Sequence, residues 1–246
     1  MRVVYDKKKS EDLAQRILDK FGHEARKTSR GQEMHVSDLT GCQIKPFCRL
    51  TGIPRNATKT QIGVMVFGIV AENILGWTFP KDCLQYNANF PLLDKSQDIF
   101  GHIDIMEDRK FPIEVKATRK RIFKGADIPV YWAEQLMSYM AMHGQNIGWI
   151  VFYNIMSTQI IAFRMEMSNN DILDWIIVLN ERAAKIRKAA IANDSSGLKV
   201  NPTQYSFCDY KQDCPRREEC SDLFKQIRRE KAKINKEKKK KNSPLE

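Results

Sequence analysis

Glu72, Asp104, Glu114, Lys116, Gln135 and Tyr139 are the residues of this sequence best suited by type and spacing to do chemistry. Carboxylates that converge on a divalent cation, with a lysine two residues beyond one of them, are the minimal equipment for hydrolysing a phosphodiester. The cation lowers the pKa of a bound water and stabilises charge on the phosphate, and the lysine orients the water or neutralises the developing charge. Hard oxygen donors select Mg²⁺ or Mn²⁺, and the backbone carbonyl of Val115 is a plausible further ligand. No nucleophilic Ser or Cys is needed.

A carboxylate followed ten residues later by Glu-x-Lys is by itself a weak signal, because an ion pair on a surface strand gives the same pattern. Two features favour a site. Glu114 and Lys116 lie among Phe111, Pro112, Ile113, Val115 and Ala117, an apolar setting in which unpaired charge is costly. Gln135 and Tyr139 are four apart on one helical face, where an amide and a phenol can jointly hold a phosphate or the lysine.

The elements that must position these groups follow from periodicity. An apolar run from Gln61 to Trp77 predicts a buried helix carrying Glu72 inward, and the polar stretch 8–34, with Leu13, Ile17, Leu18 and Phe21 in step, predicts an amphipathic leader helix. Strands are expected at Leu84–Leu93, Ile99–Glu107, Phe111–Ala117, Ile147–Tyr153 and Gln159–Met167. Helices are expected at Tyr131–His143 and Asn169–Ala192. Helices followed by strands, with one helix crossing to further strands, imply an α/β fold with a mixed sheet. If the second and third strands pair as a hairpin, Asp104 and Glu114 lie side by side, and Glu114 and Lys116 share a face.

The 246 residues allow one substantial core with appendages, divided as a helical segment 1–60, a core 61–193, a cysteine-rich segment 194–224 and a basic tail 225–246. No apolar run approaches the length needed to span a bilayer, and the N-terminus lacks a secretory leader, so a cytoplasmic protein without membrane association is expected. The net charge of +11 is concentrated between Lys225 and Lys241, where ten Lys and Arg face only Glu230 and Glu237. Such a segment attracts nucleic acid by counterion release, or it is a solvated tail. Arg119, Lys120, Arg121 and Lys124, with Phe123 among them, form a second basic stretch directly after the Glu-x-Lys strand. Cations there can hold a strand's phosphates and the aromatic can stack on a base, though a solvated loop reads the same way.

Gly68-x-x-x-Glu72, Gly101-His102-Ile103-Asp104, Glu114-Val115-Lys116 and Gln135-x-x-x-Tyr139, in this order, resemble the motifs of RecB-type nucleases of the PD-(D/E)xK superfamily. The resemblance implies a restriction-endonuclease-like core, with Glu72, Asp104, Glu114 and Val115 at the metal, Lys116 catalytic, and Gln135 and Tyr139 in support. The family's upstream motif usually carries histidine where this sequence has Glu72; glutamate also ligates Mn²⁺ or Mg²⁺, and the alternative is a lost ligand, which implies a catalytically weakened iron–sulfur or zinc DNA-binding protein. His102 is expected to be structural.

Six cysteines in a chain of this kind point to a metal or redox centre rather than disulfides, and Cys208, Cys214 and Cys220 are evenly spaced. Val36-Ser37-Asp38-Leu39-Thr40-Gly41-Cys42 and Cys208-x-Tyr210-x-x-x-Cys214-Pro215 resemble the cysteine motifs of iron–sulfur nucleases, the Cas-four family of CRISPR adaptation exonucleases and the AddB-type recombination nucleases. The short length favours the Cas-four type, with a RecB-like recombination, viral or mobile-element nuclease as the alternative. That resemblance implies a 4Fe-4S cluster on Cys42, Cys208, Cys214 and either Cys220 or Cys48. Zn²⁺ is the alternative, since both accept four thiolates. It also implies a DNA substrate, single-stranded or with free ends, and a CRISPR integrase as partner. Tyr205 stands where the family has its first C-terminal cysteine. Cys83 reads as a buried inert thiol.

Overall fold

A computed structural model describes residues 33–90, 99–119 and 128–241 of the chain. The leader helix expected over 8–34 therefore lies almost wholly outside the described residues, and its last position, Met34, opens a strand instead. The elements are β1 (Met34–His35), α1 (Val36–Thr40), α2 (Ile44–Leu50), α3 (Lys59–Gly76), β2 (Leu84–Phe90), β3 (Ile99–Glu107), β4 (Phe111–Thr118), α4 (Val130–Met142), β5 (Ile147–Asn154), β6 (Ile160–Glu166), α5 (Asn169–Ile191) and α6 (Arg217–Lys241). A short 3₁₀ turn, Pro202–Phe207, precedes the C-terminal cysteines.

The strands form one mixed sheet, as the order of elements predicted. β2 runs antiparallel along one edge of β3. The opposite edge of β3 is shared: β1 pairs with it in parallel at Ile99 and Phe100, and β4 pairs antiparallel only from Ile105 to Glu107. β4 then continues in parallel with β5, and β6 closes the sheet antiparallel to β5. The β4–α4–β5 connection is the crossover that parallel pairing demands.

Helices cover both faces. On one, Ala71 and Leu75 of α3 pack with Ile105, Ile113 and Val115. On the other, Leu136 and Met140 of α4 meet Ile150 and Phe152 of β5 and Ile172 of α5. β5 is buried at every second residue, Gly148, Ile150, Phe152 and Asn154, the alternation of a strand with unequal faces. α5 starts at a capping box in which Ser168 and Asp171 satisfy each other's backbone N–H groups. A third cluster joins Leu39 and Phe47 of α1 and α2 to Leu179, Ala183 and Ile186 of α5, and includes Cys42, Cys48 and Cys208. α6 runs unbroken through residue 225, so the basic segment continues the helix that begins before Cys220. Among the described residues no helix is long and apolar enough to cross a membrane.

Candidate active site and thiol centre

Between the β1 and β4 pairings, the second edge of β3 has no strand partner at Gly101–Asp104 among the described residues. The hairpin is thus shorter than the sequence suggests: it opens beyond Ile105 and Ile113, so Asp104 and Glu114 are not a ladder pair. Asp104 instead accepts a hydrogen bond from the Val115 N–H at 2.7 Å, which fixes its carboxylate against β4.

Glu114 is 1% exposed, and its Oε2 is buried without a hydrogen-bond donor among the described residues, while Oε1 accepts from Lys116 Nζ. A buried carboxylate oxygen with an empty lone pair costs free energy unless something else occupies it. Lys116 also donates to Gln135 Oε1 at 3.2 Å, and Gln135 Nε2 donates to the Tyr139 hydroxyl at 3.0 Å. The helical pair thus holds the lysine, one of the two roles its spacing allowed. Tyr139 reaches this position because its ring lies on Gly101, where a Cβ would come within 2.8 Å of Cε1. The glycine of the Gly-His-Ile-Asp motif is accordingly a close-approach residue.

Burial raises the Glu114 carboxyl to about 8, assisted by the charge of Asp104 and opposed by Lys116. Burial and Asp104 likewise bring Glu72, on α3, up to about 7, again opposed by Lys116. Asp104 is raised too, chiefly by burial. For Lys116, burial favours the neutral amine, but the Glu114 and Asp104 charges outweigh it and hold the ammonium form. Three carboxylates and one ammonium thus share a site with an excess of negative charge, the condition that a divalent cation relieves. Tyr131, a turn before Gln135 on α4, also lies in the field of Lys116. It was legible only as a third member of the 131/135/139 helical stripe.

His102 stacks on His35, ring centroids 5.8 Å apart, and its charge acts on Asp104. Of the basic stretch, Lys120, Arg121, Phe123 and Lys124 lie outside the described residues. Arg119 is exposed, with its guanidinium carbon 6.0 Å from the centroid of the Phe67 ring. Phe67 was not singled out by the sequence, where it is one of many apolar residues of α3.

Five of the six cysteines come together, so both candidates for the fourth ligand are present. The Cys220 thiol donates to Cys42, bringing Cys42 down to about 6, and the Cys48 thiol donates to Cys214, bringing it down to about 7. Burial raises Cys208. Cys42, Cys208, Cys214 and Cys220 line one small cavity with Lys45, Lys211 and Tyr205, whereas Cys48 is fully buried behind it in the apolar cluster. Tyr205 packs on Phe224 of α6 and receives the Lys211 ammonium at 4.7 Å, so the side chain in the family's cysteine place braces the start of α6. Cys83 is buried on the α3 side of the sheet, apart from the other five. Among the described residues, no three His, Cys, Asp or Glu side chains have their donor atoms already gathered for a metal ion.

The sequence matches no family model and no curated protein. The fold is similar to the crystal structure of SSO0001, with a TM-score of 0.59 and 15% identity over 85% of this chain and 96% of that one. An alkaline exonuclease, LHK-Exo from Laribacter hongkongensis, superposes with a TM-score of 0.49 at 14% identity over 66% of this chain and 92% of its own. Its complex with dAMP gives 0.48 at 13% identity. At such identities the likeness is one of fold, and for SSO0001 it extends over most of both chains.

Proposed function

We propose that this chain is a metal-dependent nuclease that hydrolyses phosphodiester bonds in DNA. The observation that carries the reading is the buried Glu114: one oxygen holds Lys116, and the other faces no donor among the described residues, beside an Asp104 locked by the Val115 N–H. Glu72, Asp104, Glu114 and the Val115 carbonyl would hold Mg²⁺ or Mn²⁺, which when bound acidifies a water and neutralises phosphate charge. Lys116, kept protonated by the carboxylates and oriented by Glu114 and Gln135, donates hydrogen bonds to the attacking water or the phosphate oxygen. Tyr139 holds Gln135, and Gly101 holds the Tyr139 ring. Glu72 replaces the histidine of the resembling motif with a harder oxygen donor, which suits these ions.

Cys42, Cys208, Cys214 and Cys220 would hold a second group, a 4Fe-4S cluster or Zn²⁺. Two thiols poised toward thiolate and two nearby lysines suit an anionic Cys₄ centre. Such a group contributes folding energy by joining segments on either side of the core. The finer reading follows the motifs: a Cas-four-type exonuclease that trims DNA ends with an integrase partner. The exposed Arg228, Arg229, Lys231 and Lys233 of α6 supply charge for DNA phosphates.

The test is cleavage of labelled single- and double-stranded DNA with Mg²⁺ or Mn²⁺. Asp104→Ala and Lys116→Ala should each lower the rate on the order of 100-fold or more with the fold retained. Undiminished metal-dependent cleavage in either variant defeats the assignment.

A further inference from the structure

α3 is apolar around most of its circumference, yet only part of it is covered. Ala71 and Leu75 face the sheet, while Val64, Phe67, Val70 and Trp77 are 45%, 45%, 41% and 82% exposed. Within this stripe Phe67 differs from its neighbours, because the exposed Arg119 at the exit of β4 is aligned with its ring. Arg119 makes no ion pair among the described residues, so its charge is uncompensated there. Next to Phe67, Gly68 stands one turn before Glu72, and a Cβ built on it would meet nothing within 4 Å. The helix surface beside Phe67 is therefore open at Gly68.

We propose that Phe67 and Arg119 form a platform for one unpaired nucleobase of the DNA strand entering the active site, giving the nuclease a preference for single-stranded or frayed ends. The inference rests on the nuclease reading for the identity of the polymer. An aromatic face gives sequence-tolerant stacking, and an arginine beside it adds cation–π attraction and a contact for the adjoining phosphate. Arg119 follows Lys116 by three residues at the exit of β4, roughly 10 Å at about 3.3 Å per residue, so the platform lies within reach of a strand held at the proposed site. A base in a duplex is already stacked and paired and cannot use it without being unpaired first. A second protein on the same stripe is the competing occupant, and charge decides against it: the Arg119 cation alongside the ring favours a polyanion.

The experiment measures binding of fluorescein-labelled oligonucleotides to full-length Lys116→Ala protein in Ca²⁺, so that cleavage does not intervene. Phe67→Ala should weaken binding of single-stranded DNA on the order of 10-fold and of blunt duplex less than about 2-fold, as loss of one base–aromatic stack requires. Phe67→Trp should retain affinity, whereas Phe67→Leu, which keeps apolar area without a π face, should not. An oligonucleotide with one abasic site placed in register should show the same loss on unsubstituted protein and no further loss on Phe67→Ala. Equal losses on single strand and duplex, or additive abasic and Phe67→Ala losses, overturn the platform. So does unchanged DNA binding accompanied by an altered oligomeric state, which would identify a protein-binding stripe. Cleavage by protein with Lys116 intact is followed in parallel: base coupling without any metal-dependent cleavage would defeat the nuclease reading and leave the platform standing, and cleavage without base coupling would do the reverse.

Discussion

The side-chain amide of Gln61 donates to the Cys208 carbonyl at 2.8 Å, tying the first turn of the helix that carries Glu72 to the cysteine-bearing C-terminal segment. The same side chain accepts from the Thr58 N–H at 2.6 Å, closing the capping box of α3. Alongside it, Asn56 N–H donates to the Asp209 carbonyl and Arg55 pairs with the Asp209 carboxylate. The thiol centre and the helix that carries Glu72 therefore share one anchor. Gln61→Ala should cost about 1–2 kcal/mol, the sum expected for a lost cap and a buried hydrogen bond. Urea denaturation measures it, and a midpoint equal to that of the unaltered chain would show that the anchor contributes nothing.

Glu72 and Glu114 should each contribute a loss of stability as pH rises in the metal-free protein, while the lowered Cys42 and Cys214 thiols contribute the opposite slope above about pH 6. Glu72 and Glu114 titrate near 7 and 8 in the fold against an ordinary value of 4.5, so the native state holds protons that the unfolded chain has released. Their stabilisation is complete below about pH 4.5 and is lost as pH climbs through about 7–8. Mg²⁺ or Mn²⁺ should reverse the trend, because it binds the ionised carboxylates. Melting temperatures between pH 5 and 9, with chelator and with metal, give both slopes, and Glu72→Gln should flatten the chelator curve. A chelator curve for Glu72→Gln that falls as steeply between pH 5 and 7 as that of the unaltered protein contradicts the site electrostatics.

Gly101→Ala should damage catalysis without touching a charged group. The added methyl meets the Tyr139 ring at 2.8 Å and must displace it, which breaks the Tyr139–Gln135 contact that holds Lys116. A fall in turnover on the order of 10-fold is expected from a misplaced catalytic group, with the affinity for Mn²⁺ preserved. Isothermal titration with Mn²⁺ beside the cleavage assay separates the two, and wild-type turnover would rule out the relay from Gly101 to Lys116.

Cys220→Ser and Cys48→Ala should part company. Cys220 lines the cavity with Cys42, Cys208 and Cys214, so its replacement should lower the iron or zinc bound per chain. Cys48, fully buried behind Cys214, should cost mainly packing and leave the metal content near that of the unaltered protein. Metal analysis and the visible absorption spectrum of anaerobically purified protein decide between them, and the opposite ranking would make Cys48 the fourth ligand.

Periodicity made the elements legible: β3 runs from Ile99 to Glu107 as read, and α5 ends within one residue of its expected end. It also placed Glu114 and Lys116 on one strand face and Gln135 and Tyr139 on one helix face, because those relations are local and follow from repeats of two and of 3.6 residues. What the sequence could not give was which faces meet. The parting of β3 from β4 that lets Asp104 take the Val115 N–H depends on β1 occupying the other end of the same edge, and Met34 and His35 carry too short a strand signal to foresee it. Likewise, Phe67 beside Arg119, and Cys48 beside Cys214, join residues far apart in the chain, whose approach is fixed by packing of whole helices and loops. The composition of α3 says only that it is apolar; the sheet, by covering one side of it, decides that Phe67 stays exposed beside Arg119.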